Sequence, residues 1–173
     1  LLALCMASSL AYLMRNSIGA AESTLRGELG LSMDQSGLLI SAFFWPYAVC
    51  QIPAAALAQR IGFVRALSGF AALWSVACAT FAIGDYRTMV GARILMGVAQ
   101  AGLVPAGIGM LARWFPRSMQ GMASGAFAGA MSVGSIIAAP LTVWVSTGHG
   151  WRTGFAWYAV PGVVWACLLY TSD

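Results

Sequence analysis

The sequence predicts an all-α membrane protein of six transmembrane helices, and two observations dictate that class. Hydrophobic residues make up 60% of the 173 and charged residues only 8%, with a mean hydropathy of +0.80. An ordinary soluble domain carries roughly 25% charged residues, so this composition excludes one. Charged or turn-rich breaks also recur at residues 22–36, 59–65, 84–87, 113–120 and 146–152. That period matches the roughly 20 apolar residues needed for one membrane crossing. A barrel would show short alternating segments instead.

The first helix, approximately 1–21, carries Arg15 about six residues before its outer end, roughly 9 Å deep at 1.5 Å rise per residue. Tyr12 precedes Arg15 by one turn and shares its face. In the second helix, approximately 37–58, Pro46 frees a backbone carbonyl and kinks the chain just before Tyr47. Tyr47 is either packing or a cavity ligand. The third helix, approximately 66–83, follows a short loop holding Gln59, Arg60, Gly62 and Arg65.

The fourth helix, approximately 88–112, places Arg93 about five residues after its outer start, with Gln100 two turns deeper on the same face. Gln100 is equally a ligand or a hydrogen-bonding strut between helices. Gly121, Gly125, Gly129, Ala130 and Gly134 form a small-residue stripe on the fifth helix, approximately 119–145. Such stripes let backbones approach closely, as Gly97, Ala101 and Pro105 do on the fourth. The sixth helix covers approximately 153–170.

Arg15 and Arg93 share their apolar stretches with no lysine, Asp or Glu. An ionisable residue at membrane depth costs several kcal/mol and marks a functional site by default. Both fall at one predicted depth, each on the first helix of a three-helix unit, as in two inverted three-helix repeats. The alternative is that each guanidinium snorkels to the outer interface.

The net charge of +4 comes from arginine alone, spread over short loops, which does not suggest nucleic acid. Arg60, Arg65, Arg113 and Arg117 fall on one side of the bilayer, Arg26, Arg87 and Arg152 on the other. The positive-inside rule puts the first group and the N-terminus in the cytoplasm, which makes the expected location the inner (cytoplasmic) membrane. Trp114, Trp144 and Trp151 fall near predicted helix ends, where interfacial anchors belong.

Cys5, Cys50, Cys78 and Cys167 show no metal-ligand spacing and read as small core residues, so no metal or cofactor is expected. The chain opens mid-helix, and CLLYTSD at 167–173 coincides with one reading frame of a transposon-end adapter used in sequencing libraries. Residues 1–166 are therefore expected to be a bundle truncated at both ends, and 167–173 adapter read-through.

Three stretches resemble the major facilitator superfamily. AALAQRIGFVRAL (55–67) is similar to its loop between helices two and three, G-x-L-x-D-R-x-G-x-[KR]-R. GARILMGVAQAGLVPAGIGMLARWFPRSMQGMASG (91–125) resembles the fourth helix and following loop of the anion:cation symporter branch, R-x-x-x-G-x-x-E-A…P…WFP…ER. YLMRNSIGAAESTLRGELGLSMDQSGLLISAFFWPYAVCQIP (12–53) is similar to the same branch.

The resemblance implies one six-helix half of a twelve-helix transporter for sugar acids or other organic anions, working by alternating access. The expected partners are a small anionic substrate, the lipid bilayer and a C-terminal six-helix half. It implies a substrate site in which Arg15 holds the carboxylate, Arg93 belongs to the charge relay and Tyr12 and Tyr47 line the cavity, with Gln100 of the fourth helix counted among the site residues, and a gating loop of Gln59, Arg60, Gly62 and Arg65. The branch often has Asp before its first arginine, where Met14 stands here, and Glu where Gln100 stands. Gln59 replaces the loop Asp, and Met119–Gln120 replace the ER pair. Neither Met14 nor Gln100 titrates, so proton coupling through this half is not expected, which leaves uniport, exchange or coupling supplied by the other half.

A membrane-embedded enzyme, such as an intramembrane serine protease, is the rival from another class. It needs a nucleophile and base within hydrogen-bond reach; Ser124 offers a serine among glycines, but the only histidine, His149, is expected in an outer loop.

Overall fold

The computed structural model describes residues 1–171, except for the side chain of Tyr170, and all of its regular structure is helical. Eight helices follow in order: α1 (Leu2–Leu29), α2 (Met33–Ser41), α3 (Phe44–Ile61), α4 (Phe63–Ile83), α5 (Tyr86–Ala101), α6 (Leu103–Trp114), α7 (Arg117–His149) and α8 (Trp151–Thr171). The expected read-through at 167–173 falls partly outside the described residues, since Ser172 and Asp173 are not among them.

Two prolines turn six rods into eight helices. A proline cannot donate to the carbonyl four residues earlier, and its ring crowds that carbonyl. Pro46 strikes Ala42 and Pro105 strikes Ala101, and the breaks α2/α3 and α5/α6 fall there. Met33–Ile61, Phe63–Ile83, Tyr86–Trp114 and Arg117–His149 are each long and apolar enough to cross a membrane.

The first break was expected at residues 22–36, yet α1 continues to Leu29. Its last turns carry an i,i+4 ion pair, Glu22 with Arg26 at 3.3 Å, and bury Ala21 and Leu25. Such pairs support a helix surface, so the charges lace the helix rather than end it. Gly30, in the left-handed conformation at φ 62°, terminates α1. Ser32 and Gln35 then form a reciprocal capping box for α2. Asp85 caps α5 by accepting from the Thr88 N–H at 2.9 Å, which holds its carboxyl below the usual range.

The main pairings are α1 with α7, α4 with α8, α4 with α5, and α3 with α5. Gly134 lies against the Ser9 carbonyl, so α7 and α1 meet backbone to backbone there. Gly97 similarly packs on Phe43 and Pro46 at the α2/α3 break. Gly121, Gly125 and Gly129 do not share this role, because no described residue approaches within 4 Å of a side chain added there.

Of the three expected interfacial tryptophans, Trp114 and Trp144 are exposed, but Trp151 is buried. Trp151 donates to Glu28 Oε2 at 2.7 Å and packs on Phe81 and Phe155, so it ties α8 to α1. Only Cys78 among the cysteines is fully buried, and Cys167 is exposed, which corrects the expectation of four core cysteines.

Gly134→Val should cost about 1–3 kcal/mol through overpacking against the Ser9 backbone. Gly37→Ala, in open space, should leave stability unchanged or raise it. Thermal melting of the detergent-purified protein distinguishes them, and equal melting temperatures would contradict the α1–α7 contact.

Candidate functional site

Arg15 lies at the middle of α1, not near its outer end, because α1 extends to Leu29. Fourteen residues separate it from that end, about 21 Å of helix. The guanidinium is half-buried, and its hydrogen-bond and ring partners are close at hand.

Three rings and an amide surround the guanidinium. Arg15 Cζ lies 4.4 Å from the Tyr12 ring centroid, 4.6 Å from Phe43 and 4.4 Å from Tyr47. All three fall within the roughly 6 Å over which a cation is attracted to a ring face. Phe43 and Tyr47 stack on each other at 5.4 Å, which fixes two walls of this cage. The Pro46 break aims them: it ends α2 before Phe43 and starts α3 so that Phe43 and Tyr47 lie one turn apart.

Arg15 Nε donates to Gln100 Oε1 at 3.3 Å, and Gln100 Nε2 donates to the Ala11 carbonyl at 3.0 Å. Gln100 is fully buried and joins α5 to α1 through both ends of its amide.

Arg93 occupies a different position. It is 2% exposed, its Nη1 donates to the Arg15 carbonyl at 3.5 Å, and its Cζ lies 5.0 Å from the Phe43 ring. Its buried Nε has no hydrogen-bond partner. Both arginines therefore meet at Phe43, but Arg15 is half-exposed whereas Arg93 is sealed inside.

No carboxylate accompanies them among the described residues. Glu22 is held by Ser36 and Arg26, Glu28 by Trp151, and Asp85 caps α5, while Asp34 lies in the first turn of α2. All four lie towards the end of the bundle where α1 stops and α2 and α5 begin. Met14 is fully buried beside Gly162 of α8 and does not join the cage.

At the opposite end, Gly62 (φ 95°) makes the one-residue turn from α3 to α4. A cleft of about 300 Å³ there is lined by Gly62, Phe63, Arg65, Met110, Arg113 and Trp114, among others. Arg113 stacks over Phe63 at 4.6 Å. Gln59 and Arg60 are exposed and do not line this cleft.

Ser124 and His149 lie on one helix, 25 residues apart, about 37 Å along its axis. His149 packs instead between Trp157 and Trp144, at 5.1 and 6.5 Å. No serine–histidine dyad exists between them. Phe43 was not singled out in the sequence; its spacing four residues before Tyr47 was the available signal.

Residues 4–173 match the Major Facilitator Superfamily. A hexuronate transporter of Escherichia coli (strain K12) is 35% identical over 158 residues, covering 91% of this chain and 37% of that protein. A galacturonate transporter of Dickeya chrysanthemi is 34% identical over 163 residues, covering 93% and 47%. The chain thus spans less than half the length of these relatives. Among solved structures, an inward-facing bacterial homolog of the human lysosomal transporter Spinster superposes with a TM-score of 0.87 at 22% identity, covering 99% of this chain and 42% of that one.

Gln100→Leu should lower the stability of the purified protein by about 1–3 kcal/mol, since it leaves Arg15 Nε and the Ala11 carbonyl unpaired. A melting temperature equal to that of the unsubstituted protein would contradict the α5–α1 strut.

Proposed function

Because this chain belongs to the Major Facilitator Superfamily, we propose that the protein carries a sugar acid or related small organic anion across a membrane by alternating access. The observation that carries this reading is the half-exposed Arg15 guanidinium, oriented by Gln100 and three rings with no carboxylate beside it. A cation so placed favours an anionic ligand, and a guanidinium matches a carboxylate with two parallel donors. Relatives that transport hexuronate and galacturonate support the same substrate class.

In this account Arg15 is the carboxylate ligand, and Tyr12 and Tyr47 line the site. Gln100 orients Arg15 from behind. Arg93 supplies a second positive charge from below, through the Arg15 backbone, and reaches substrate only if Phe43 moves aside. The turn holding Gly62 and Arg65, with Arg113 opposite, forms the cytoplasmic gate, and Gln59 and Arg60 lie on its outer surface.

The pairings support a reading of six spans in two inverted three-span units. Take α1, α2–α3 and α4 as one unit, and α5–α6, α7 and α8 as the next. A two-fold exchange of units converts the α1–α7 contact into the α3–α5 contact and maps α4–α8 onto itself. Three spans per unit reverse the second unit in the bilayer. The loop arginines favour a cytoplasmic N-terminus, the protein sits in the inner membrane, and a second six-helix half faces the cage across the substrate.

Proton coupling through this half is absent, because Gln100 and Met14 cannot change charge. Exchange or uniport needs no such group, and any coupling ion would act on the other half.

Counterflow of labelled galacturonate by the full-length protein in proteoliposomes tests the reading. Arg15→Leu should reduce exchange at least about thirty-fold, as expected when one partner of a desolvated charge pair is removed. Unchanged exchange would overturn it.

Gln100→Glu should add a pH dependence that the unsubstituted site lacks. Its carboxylate competes with substrate for Arg15 once ionised, so affinity should match the parent at low pH and fall as pH rises. Binding measured across that range checks the sign, and a pH-independent Gln100→Glu protein would contradict the Arg15–Gln100 geometry.

A further inference from the structure

Asn16 follows Arg15 on α1 and is exposed. Its Nδ2 donates to the Tyr12 carbonyl at 2.9 Å and to Ser135 Oγ of α7 at 3.0 Å. Ser135 in turn donates its own proton to the Met131 carbonyl at 3.0 Å. A backbone carbonyl can only accept, so the Tyr12 contact decides which side of the amide is nitrogen. Both amide protons are then engaged, and Oδ1 is left as the free atom. No described residue donates to it.

The result is a pair of fixed, opposite preferences on neighbouring residues. Arg15 offers only donors, and Asn16 Oδ1 offers only an acceptor. Successive helical positions diverge by about 100°, so a ligand held by both would meet them with different groups. Tyr12 joins them, with its ring against Arg15 and its carbonyl holding Asn16.

We propose that Asn16 is a specificity-determining residue: its Oδ1 accepts a hydrogen bond from a substrate hydroxyl while Arg15 holds the carboxylate. Ser135 and the Tyr12 carbonyl are its positioning groups. The inference rests on the anion-transport reading and deepens it by naming the residue that reads a substrate hydroxyl. A plain aliphatic carboxylate satisfies Arg15 but leaves Oδ1 desolvated and unpaired. Sites built to hydrogen-bond a substrate hydroxyl reject analogues that lack it, for that reason.

The test compares galacturonate with hexanoate, which has the same number of carbons and no hydroxyls, as inhibitors of labelled galacturonate exchange by the full-length protein. Asn16→Leu should weaken galacturonate about five- to ten-fold, the worth of one hydrogen bond to a neutral acceptor, and change hexanoate less than two-fold. Ser135→Ala keeps the acceptor but frees its rotor, and should weaken galacturonate alone by about two-fold. An unchanged galacturonate-to-hexanoate ratio in both variants would overturn the role of Asn16 while leaving the transport reading intact. Parallel loss of both inhibitors would assign Asn16 to packing and also overturn it. Failure of the unsubstituted protein to exchange galacturonate, with Arg15→Leu indistinguishable from it, would remove the transport reading and this inference together.

Discussion

A permanently charged guanidinium at the middle of an apolar helix is the constraint around which this bundle is arranged. No described carboxylate neutralises Arg15: Glu22, Glu28 and Asp85 are engaged elsewhere and Asp34 lies in the first turn of α2. Taking a charge out of water costs several kcal/mol even after relaxation. Three ring contacts, each worth about 0.5–2 kcal/mol, and one amide hydrogen bond offset part of that cost. The buried Arg93, with its unpartnered Nε, adds a second positive charge close by. What remains uncompensated is a standing preference for an anion.

The scaffold serves this arrangement through a few local decisions. Pro46 breaks the second rod where Phe43 and Tyr47 must turn towards Arg15, and Gly97 lets α5 press against that break. The same approach brings Gln100 and Arg93 onto α1. Gly134 does the equivalent on the other flank, seating α7 against Ser9 and bringing Ser135 to Asn16. One flank of α1 is thus fixed by backbone proximity to α7, and the other is tied to α5 by the side chains of Gln100 and Arg93.

Much of this was legible in the sequence, for physical reasons. Arg15, Arg93, Tyr12, Tyr47 and Gln100 stood out because polar groups in apolar helices need a partner, and the structure brings all five together. Helix ends were less legible. Glu22 and Arg26 look like a loop by composition, yet as an i,i+4 pair they support about two further turns, which carry α1 on to Leu29. The difference between the arginines was also hidden, since one half-open and one sealed guanidinium read alike in a sequence. Phe43 was missed because a phenylalanine among apolar residues gives no signal until a cation lies over it. Asn16 was missed because its importance depends on Ser135, far along the chain, engaging the second amide proton.

A structure of the full-length protein with a sugar acid bound tests the central claim most directly. The account predicts a substrate carboxylate oxygen at about 2.8 Å from the Arg15 guanidinium, the usual length of a charge-assisted hydrogen bond, with the Tyr12, Phe43 and Tyr47 rings still around it. A bound carboxylate elsewhere, with Arg15 contacting only Gln100 and the rings, would contradict it.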